Sequence, residues 1–209
     1  NNKLLVGCDA GLLEIDTSNK TDTLLLGASE VSPENTSVTF QKVMPVNANQ
    51  FYIGTHSGLL FFDAEKNVYF LHQNIKEDEK SLVHNHVLSL TQSKDGVIWI
   101  GTRNGIDKIE SSEPDFIHFR NFAMPNALNV KNINTVIETK DNLLWIGSTS
   151  GLNLYDKNKQ AFVDISGIRS KITSDYMLHL SKDRQENIWI GTRTGGFYRI
   201  DPQRNITKI

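Results

Sequence analysis

The sequence predicts an all-β protein built from tandem copies of one small antiparallel sheet. Three observations predict it: a short glycine-containing motif recurs five times, its copies are almost evenly spaced, and apolar residues alternate within them. The first glycines of the copies are Gly7, Gly54, Gly101, Gly147 and Gly191. They lie 47, 47, 46 and 44 residues apart, an interval typical of repeat proteins.

The residues after the first glycine repeat as well. A second glycine follows four positions later, at Gly11, Gly58, Gly105, Gly151 and Gly195. An acidic residue comes five or six positions after the second glycine, at Asp16, Asp63, Glu110, Asp156 and Asp201. A carboxylate at a fixed place in a turn favours a role as a turn cap, so we do not expect an array of catalytic acids.

The third copy indicates what one unit contains. The predicted strands cover residues 87–91, 97–102, 106–110 and 116–120. The turn signal Lys94-Asp95-Gly96 ends the first strand, and Arg103-Asn104-Gly105 makes the next turn, where Gly105 suits a backbone at positive φ. A turn at 111–114 precedes the fourth strand, and a longer loop at 121–132 leads into the next unit.

Four short antiparallel strands in about 45 residues are typical of a β-propeller blade. Helical repeats are the main alternative, but no 3.6-residue periodicity extends over a useful length. We therefore predict a single β-propeller region over residues 1–209, in repeat units of roughly 1–36, 37–80, 81–127, 128–171 and 172–209. The first unit starts at its second strand, so the chain should contain roughly nineteen strands.

Large aromatic residues occupy one position of the second strand: Tyr52, Trp99, Trp145 and Trp189. We expect them to fill the gap between neighbouring blades, because one such side chain buries about 150–250 Å². The glycines two positions later, including Gly101, Gly147 and Gly191, should remove a side chain where the adjacent blade comes close. The alternative, that the tryptophans stack on sugars, is disfavoured because a binding site seldom needs the same residue in every blade.

Composition excludes some classes of protein. A formal net charge of −2 and a pI near 6.3 argue against nucleic acid as a partner, since nucleic acid requires a basic surface. No apolar run approaches the roughly 20 residues of a membrane span, so this stretch should not insert directly into a membrane. The single cysteine, Cys8, allows no internal disulfide.

Patterns for catalysis or metal binding are weak. No Gly-x-Ser-x-Gly nucleophile motif occurs. His84 and His86 are two positions apart with His72 nearby, which is poor spacing for a metal site and more typical of a solvated loop. We predict no catalytic residue, no metal and no cofactor. A propeller lyase or glycosidase remains an alternative.

Ligand contacts are expected on one end of the predicted propeller. The turns between second and third strands and the loops that enter each first strand should share a face around the axis. Imidazole, guanidinium, amide and phenol groups there suit directional hydrogen bonds to sugars and carboxylates. The candidates are His56, His84, His86, Arg103, Asn104, Asn132, Thr149, Tyr176 and Arg193.

Residues 98–106 and 144–156 resemble the two-component regulator propeller repeat. A second element of that repeat precedes each first strand, where Leu82, Leu128 and Ile172 stand five residues before Val87, Ile133 and Met177. The resemblance covers nearly the whole chain. It is weakest in the first unit, where Leu5 replaces the aromatic residue and Cys8 replaces the threonine.

The resemblance implies a signal-input role. Such repeats form the extracytoplasmic sensor part of hybrid two-component histidine kinases of Bacteroidetes-type bacteria, whose signals are typically oligosaccharides released from glycans. It therefore implies a periplasmic region of an inner-membrane protein with an oligosaccharide ligand and no enzymatic activity in this stretch. A scaffold for protein–protein interaction is the alternative.

The resemblance also implies a ring of seven blades, whereas this chain holds about five. Either it is part of a larger ring, which we favour, or a five-bladed ring with one strand missing. An open propeller would expose the apolar faces of its end blades, so a homodimer or end-to-end association is expected.

Overall fold

The computed structural model of the chain describes residues 2–31, 38–110, 113–119 and 132–209. Within these ranges the protein contains 19 β-strands and two single-turn helices, α1 (Ala28–Val31) and α2 (Ser166–Arg169). The strands form five separate antiparallel sheets, of which the first has three strands and the others have four. The all-β prediction and the predicted first unit, which begins at its second strand, are thereby confirmed.

Each sheet is a meander of strands that follow one another along the chain. The first sheet contains β1 (Lys3–Cys8), β2 (Gly11–Asp16) and β3 (Thr21–Gly27). The second contains β4 (Phe40–Pro45), β5 (Gln50–Thr55), β6 (Leu59–Asp63) and β7 (Val68–His72). The third contains β8 (Val87–Gln92), β9 (Ile98–Thr102), β10 (Gly105–Glu110) and β11 (Glu113–Phe119). The fourth contains β12 (Ile133–Glu138), β13 (Leu143–Ser148), β14 (Gly151–Asp156) and β15 (Ala161–Phe162). The fifth contains β16 (Met177–Lys182), β17 (Ile188–Thr192), β18 (Phe197–Ile200) and β19 (Ile206–Lys208).

The third sheet differs from its prediction in one place. Its fourth strand was expected at 116–120 after a turn at 111–114, but β11 already begins at Glu113. A register shift between Ile109 and Glu110 brings Glu113 opposite Glu110, which shortens the turn. The loop predicted at 121–132 lies outside the described residues except for Asn132.

The sheets stand side by side in chain order. The first strands β4, β8, β12 and β16 contact one another in succession, and β1 contacts β4 in the same manner as β5 contacts β8. Among the described residues no comparable contact joins the fifth sheet to the first. The five sheets therefore form an open arc of propeller blades, with the first strands on its inner side.

The repeated first glycine lies against the start of the next sheet. A Cβ placed on Gly54 would lie 2.7 Å from Val87 Cγ1, and one placed on Gly147 would lie 3.0 Å from Met177 Cβ. Gly7 has the same relationship to Phe40, whose carbonyl oxygen would be 2.8 Å away. Contacts this short leave no room for a side chain, so neighbouring sheets approach through the glycine.

The tryptophan of the second strand faces the following sheet in the third and fourth sheets. Trp99 is 4% exposed and belongs to an apolar cluster with Ile133 and Ile146 of the fourth sheet. Trp145, 3% exposed, packs in the same way with Ile190 of the fifth sheet. Trp189 occupies the same position at the end of the arc, where it is only partly buried.

The residue after the first glycine organises the next turn. The buried Thr102 hydroxyl donates to the Gly105 carbonyl oxygen at 2.9 Å and accepts the Asn104 N–H at 3.2 Å. The same pair of bonds recurs at the other complete sheets, where Thr55, Ser148 and Thr192 supply the hydroxyl. In the first sheet Cys8 replaces the hydroxyl, and its Sγ donates to the Gly11 carbonyl oxygen at 3.5 Å.

In four of the five sheets the recurrent acidic residue is an aspartate that caps the turn before the last strand. Asp156 Oδ1 accepts the N–H groups of Asn158 and Lys159, both at 3.0 Å. Asp63 accepts two N–H groups in the same way, and Asp16 and Asp201 accept one each. These carboxylates serve the backbone of their turns, as the turn-cap interpretation requires.

Candidate ligand-binding face

Backbone hydrogen bonds bring the candidate turns and loops together. The Arg103 N–H donates to the His86 carbonyl oxygen at 3.2 Å, and the Asn132 N–H donates to the Arg103 carbonyl oxygen at 3.0 Å. The Thr149 N–H donates in turn to Asn132 at 3.3 Å. Two of these bonds link a second-to-third-strand turn to the loop that enters the same sheet, and the bond between Asn132 and Arg103 links the turn of the third sheet to the loop that enters the fourth, so all these segments share one face of the arc.

Three histidines and an arginine meet on this face of the arc, at the second and third sheets. The His56 ring, from the turn of the second sheet, contacts the His86 ring edge to face, with centroids 4.1 Å apart. The backbone N–H of His86 donates to His84 Nδ1 at 2.9 Å. Because Nδ1 is the acceptor, a neutral His84 ring carries its proton on Nε2. The side-chain amide of Gln41 contacts His56 Nε2 from the inner strand.

The cluster disfavours positive charge on its own histidines. Burial, together with the nearby His56, Arg103 and His84, lowers the pKa of His86 to about 4. Burial and the Arg103 charge also lower the pKa of His84. Both imidazoles are therefore neutral at neutral pH, so each ring has one N–H donor and one acceptor nitrogen, and the acceptor of His84 is already bonded to the His86 backbone N–H.

His72 does not join this cluster. Its ring packs edge to face on Phe116 with centroids 5.5 Å apart, and burial lowers its pKa. No group of three or more His, Cys, Asp or Glu side chains in the described part of the chain is arranged to hold a metal ion.

A second group of candidates lies at the far end of the arc. The Arg193 guanidinium lies over the Tyr176 ring, 5.3 Å from its centroid, and the Arg193 N–H donates to the Tyr176 carbonyl oxygen at 3.0 Å. Arg193 is exposed and Tyr176 is partly buried. This stacked pair offers a flat surface with charged donors at its edge, a combination suited to a sugar ring.

The remaining candidates lie between or beside these groups. Asn104 is exposed beside Arg103, and its backbone N–H donates to the Thr102 hydroxyl. The Asn132 side-chain amide donates to Thr149 Oγ1 at 3.4 Å. No contact joins the His56–His86 cluster directly to the Arg193–Tyr176 pair among the described side chains, so the two groups form separate ends of one face.

Sequence reasoning missed a set of residues on the inner strands. In all four complete sheets the register slips by one residue after the first pair of the first and second strands. The extra residues at these β-bulges are Gln41, Leu88, Asn134 and Leu178. Bulges redirect side chains and recur beside binding sites.

The bulge residues lie on neighbouring inner strands at the end that carries the turn residues. Gln41 reaches His56, and the Asn134 side-chain amide donates to the Met177 carbonyl oxygen at 2.7 Å. Leu178 is 51% exposed, unusual for a leucine on an inner strand. The one available sequence signal was that this position changes between repeats while both its neighbours keep a common character.

Residues 81–104 match the family described as two component regulator propeller. This match contains His84, His86 and Arg103, and it confirms the resemblance drawn from the motif. No curated protein sequence matches the chain significantly.

Solved structures show the same fold. The extracellular domain of the hybrid two component system protein BT3049 from B. thetaiotaomicron superposes with a TM-score of 0.78 at 23% identity, over 99% of this chain and 28% of that one. The extracellular domain of the one component system protein BT4673 from the same organism gives 0.74 at 19% identity, over 100% and 26%. PorZ, a surface component of the type-IX secretion system of Porphyromonas gingivalis, gives 0.67 at 16% identity, over 90% and 29%.

This chain thus spans between a quarter and a third of the length of the solved structures it matches. At these identities the likeness establishes the propeller fold. No helix among the described residues is long and apolar enough to cross a membrane.

Proposed function

We propose that this chain is part of the signal-input region of a two-component sensor and binds an oligosaccharide derived from a glycan. The observation that carries the proposal is that the repeating positions have structural roles, whereas the candidate ligand contacts lie at positions that do not repeat. Glycines, aromatic residues and turn hydroxyls repeat from sheet to sheet and hold the scaffold together. The side chains at the turns and bulges of one end do not repeat.

That end offers the contacts a sugar needs. The Tyr176 ring provides an aromatic surface, and the Arg193 guanidinium stacked over it provides directional donors. The amides of Gln41 and Asn134 add donors and acceptors, and the exposed part of Leu178 can cover the apolar face of a pyranose ring. The proposal places this region outside the inner membrane, in the periplasm, and it is supported by the likeness in fold to two domains described as extracellular.

Binding by the 209-residue chain tests the proposal. We expect at least one oligosaccharide of a broad glycan panel to raise the melting temperature and to give a saturable calorimetric titration. Tyr176→Ala should weaken this binding about tenfold, in line with about 1–3 kcal/mol for a stacking aromatic side chain. Arg204→Ala is the matched control, because Arg204 lies in a turn at the opposite end of the strands.

Two results would count against the proposal. If no glycan of the panel shifts the melting temperature, the proposal of a carbohydrate ligand is wrong. Capture of a partner protein through the same face, lost in Tyr176→Ala, would favour the interaction scaffold.

A further inference from the structure

Arg103 supplies the positive charge of the cluster at the second and third sheets. Arg103 is exposed, and its guanidinium forms no ion pair with a carboxylate of the described residues. The groups around it are the imidazoles of His56, His84 and His86. Three imidazoles and a guanidinium thus meet here, and no carboxylate of the described residues forms an ion pair with the guanidinium.

Hydrogen bonds hold the turn that carries Arg103 beside the loop that carries His84 and His86. The Arg103 backbone is bonded to the His86 carbonyl oxygen, which holds the turn beside the histidine loop. His84 accepts at Nδ1, so its remaining N–H, on Nε2, is available to an external acceptor. A planar guanidinium beside an imidazole N–H matches the paired oxygens of a carboxylate or a sulfate.

We propose that Arg103, His84 and His86 form a subsite for an anionic group of the ligand, such as a carboxylate or a sulfate ester. This inference deepens the proposed function, because it assigns an acidic character to the sugar. The anion supplies the countercharge that the cluster lacks.

The proposal predicts how the affinity for the anion depends on pH. The groups that face His86 are His56 from the second sheet, Arg103 from the third and His84 from its own loop, and all three disfavour its protonation. A bound anion acts in the opposite direction and raises the pKa of His86. Binding therefore takes up protons, and affinity should increase as the pH falls from neutral toward about 4.

Histidine-resolved NMR titrations of the 209-residue chain test the subsite with matched probes. Glucuronate, glucose 6-sulfate and glucose 6-phosphate each carry an anion that glucose lacks, and inorganic sulfate carries the anion without a sugar. We expect the anionic sugars to bind about tenfold more tightly than glucose and to raise the pKa of His86, because a hydrogen bond to a charged group is stronger than one between neutral groups. Arg103→Gln should abolish this difference, and Arg204→Gln should preserve it.

The outcomes separate this inference from the proposed function. Sulfate alone shifting the His84 and His86 resonances would support the subsite even if no sugar binds. Equal affinity for glucose and glucuronate, with Tyr176→Ala still damaging, would overturn the subsite and leave the sugar-binding proposal standing. A response of the histidines to Zn²⁺ alone, with none to any anion, would also overturn the anionic assignment.

Discussion

Gly101 lies directly against Ile133 across the boundary between the third and fourth sheets. A Cβ on Gly101 would lie 2.6 Å from Ile133 Cγ2 and 2.9 Å from its Cβ. Ile133 is fully buried and packs in the cluster that contains Trp99. Its side chain therefore cannot move aside easily to make room for a Cβ at Gly101. One missing side chain therefore sets the distance between two blades.

Gly101→Ala should consequently destabilise the chain by about 1–3 kcal/mol, the usual cost of overpacking a filled core. Gly191→Ala is the matched control at the same repeat position. A Cβ there would meet only ordinary contacts, with Phe197 at 3.5 Å. Urea denaturation followed by circular dichroism measures both, and equal losses of stability would contradict the role assigned to the glycine.

Thr102→Val should destabilise the chain by about 1–3 kcal/mol, because it removes the hydroxyl that bonds the buried Gly105 carbonyl oxygen and the partly buried Asn104 N–H. Valine has nearly the same shape, so packing is preserved and the hydroxyl alone is tested. Thr102→Ser keeps both hydrogen bonds of the turn and should lose less stability than Thr102→Val. Chemical denaturation of the two variants checks the order, and a reversal would show that the methyl group matters more than the hydroxyl.

Trp99→Ala should cost about 3–5 kcal/mol, since it empties a filled space between two sheets. Trp189→Ala should cost clearly less, because Trp189 is only partly buried at the end of the arc and keeps water on one side. Thermal unfolding at fixed scan rate compares the pair. Similar losses for both tryptophans would mean that the end sheet is covered in solution, as end-to-end association would require.

Asp156→Asn should make stability less sensitive to acid. The Lys159 N–H, followed by the Lys159 ammonium, lowers the pKa of Asp156 below its model-peptide value of 3.8. A carboxylate with a lowered pKa stabilises the fold above its unfolded pKa and loses that contribution as the pH falls through its folded pKa. The gap in unfolding free energy between wild type and variant should therefore be largest near neutral pH and close below about pH 4.

Denaturation series between pH 7 and pH 2.5 measure this gap. Asp22→Asn removes a carboxylate from the exposed strand β3 and controls for the change in net charge. A gap that stays constant with pH would show that the turn depends on the shape of the side chain and not on its charge.

Most of the scaffold could be predicted because its determinants are local and repeat. A glycine, an aromatic residue, a hydroxyl and an acid at fixed offsets each answer the same backbone requirement in every sheet. The exception in the fifth copy is instructive. The spacing pointed to Gly195 as the second glycine, but the positive φ of 89° is at Gly196, because that turn is one residue longer.

The ligand face could be predicted only in part. Turn geometry was enough to nominate His56, His86 and Arg103, but not to show that they touch. The bulges were not predicted, because a residue that changes between repeats at one position does not by itself show that the strand pairing slips there.

The sequence by itself determined the blade, its strand order and the residues that join one blade to the next, since each repeat must solve the same packing problem with the same local means. Only the tertiary structure decided which non-repeating side chains become neighbours. His56 and His86 belong to different sheets, and their contact exists because Gly54 lets Val87 approach. The distance between two blades, which no single repeat contains, sets the spacing of the groups that we propose to face a ligand.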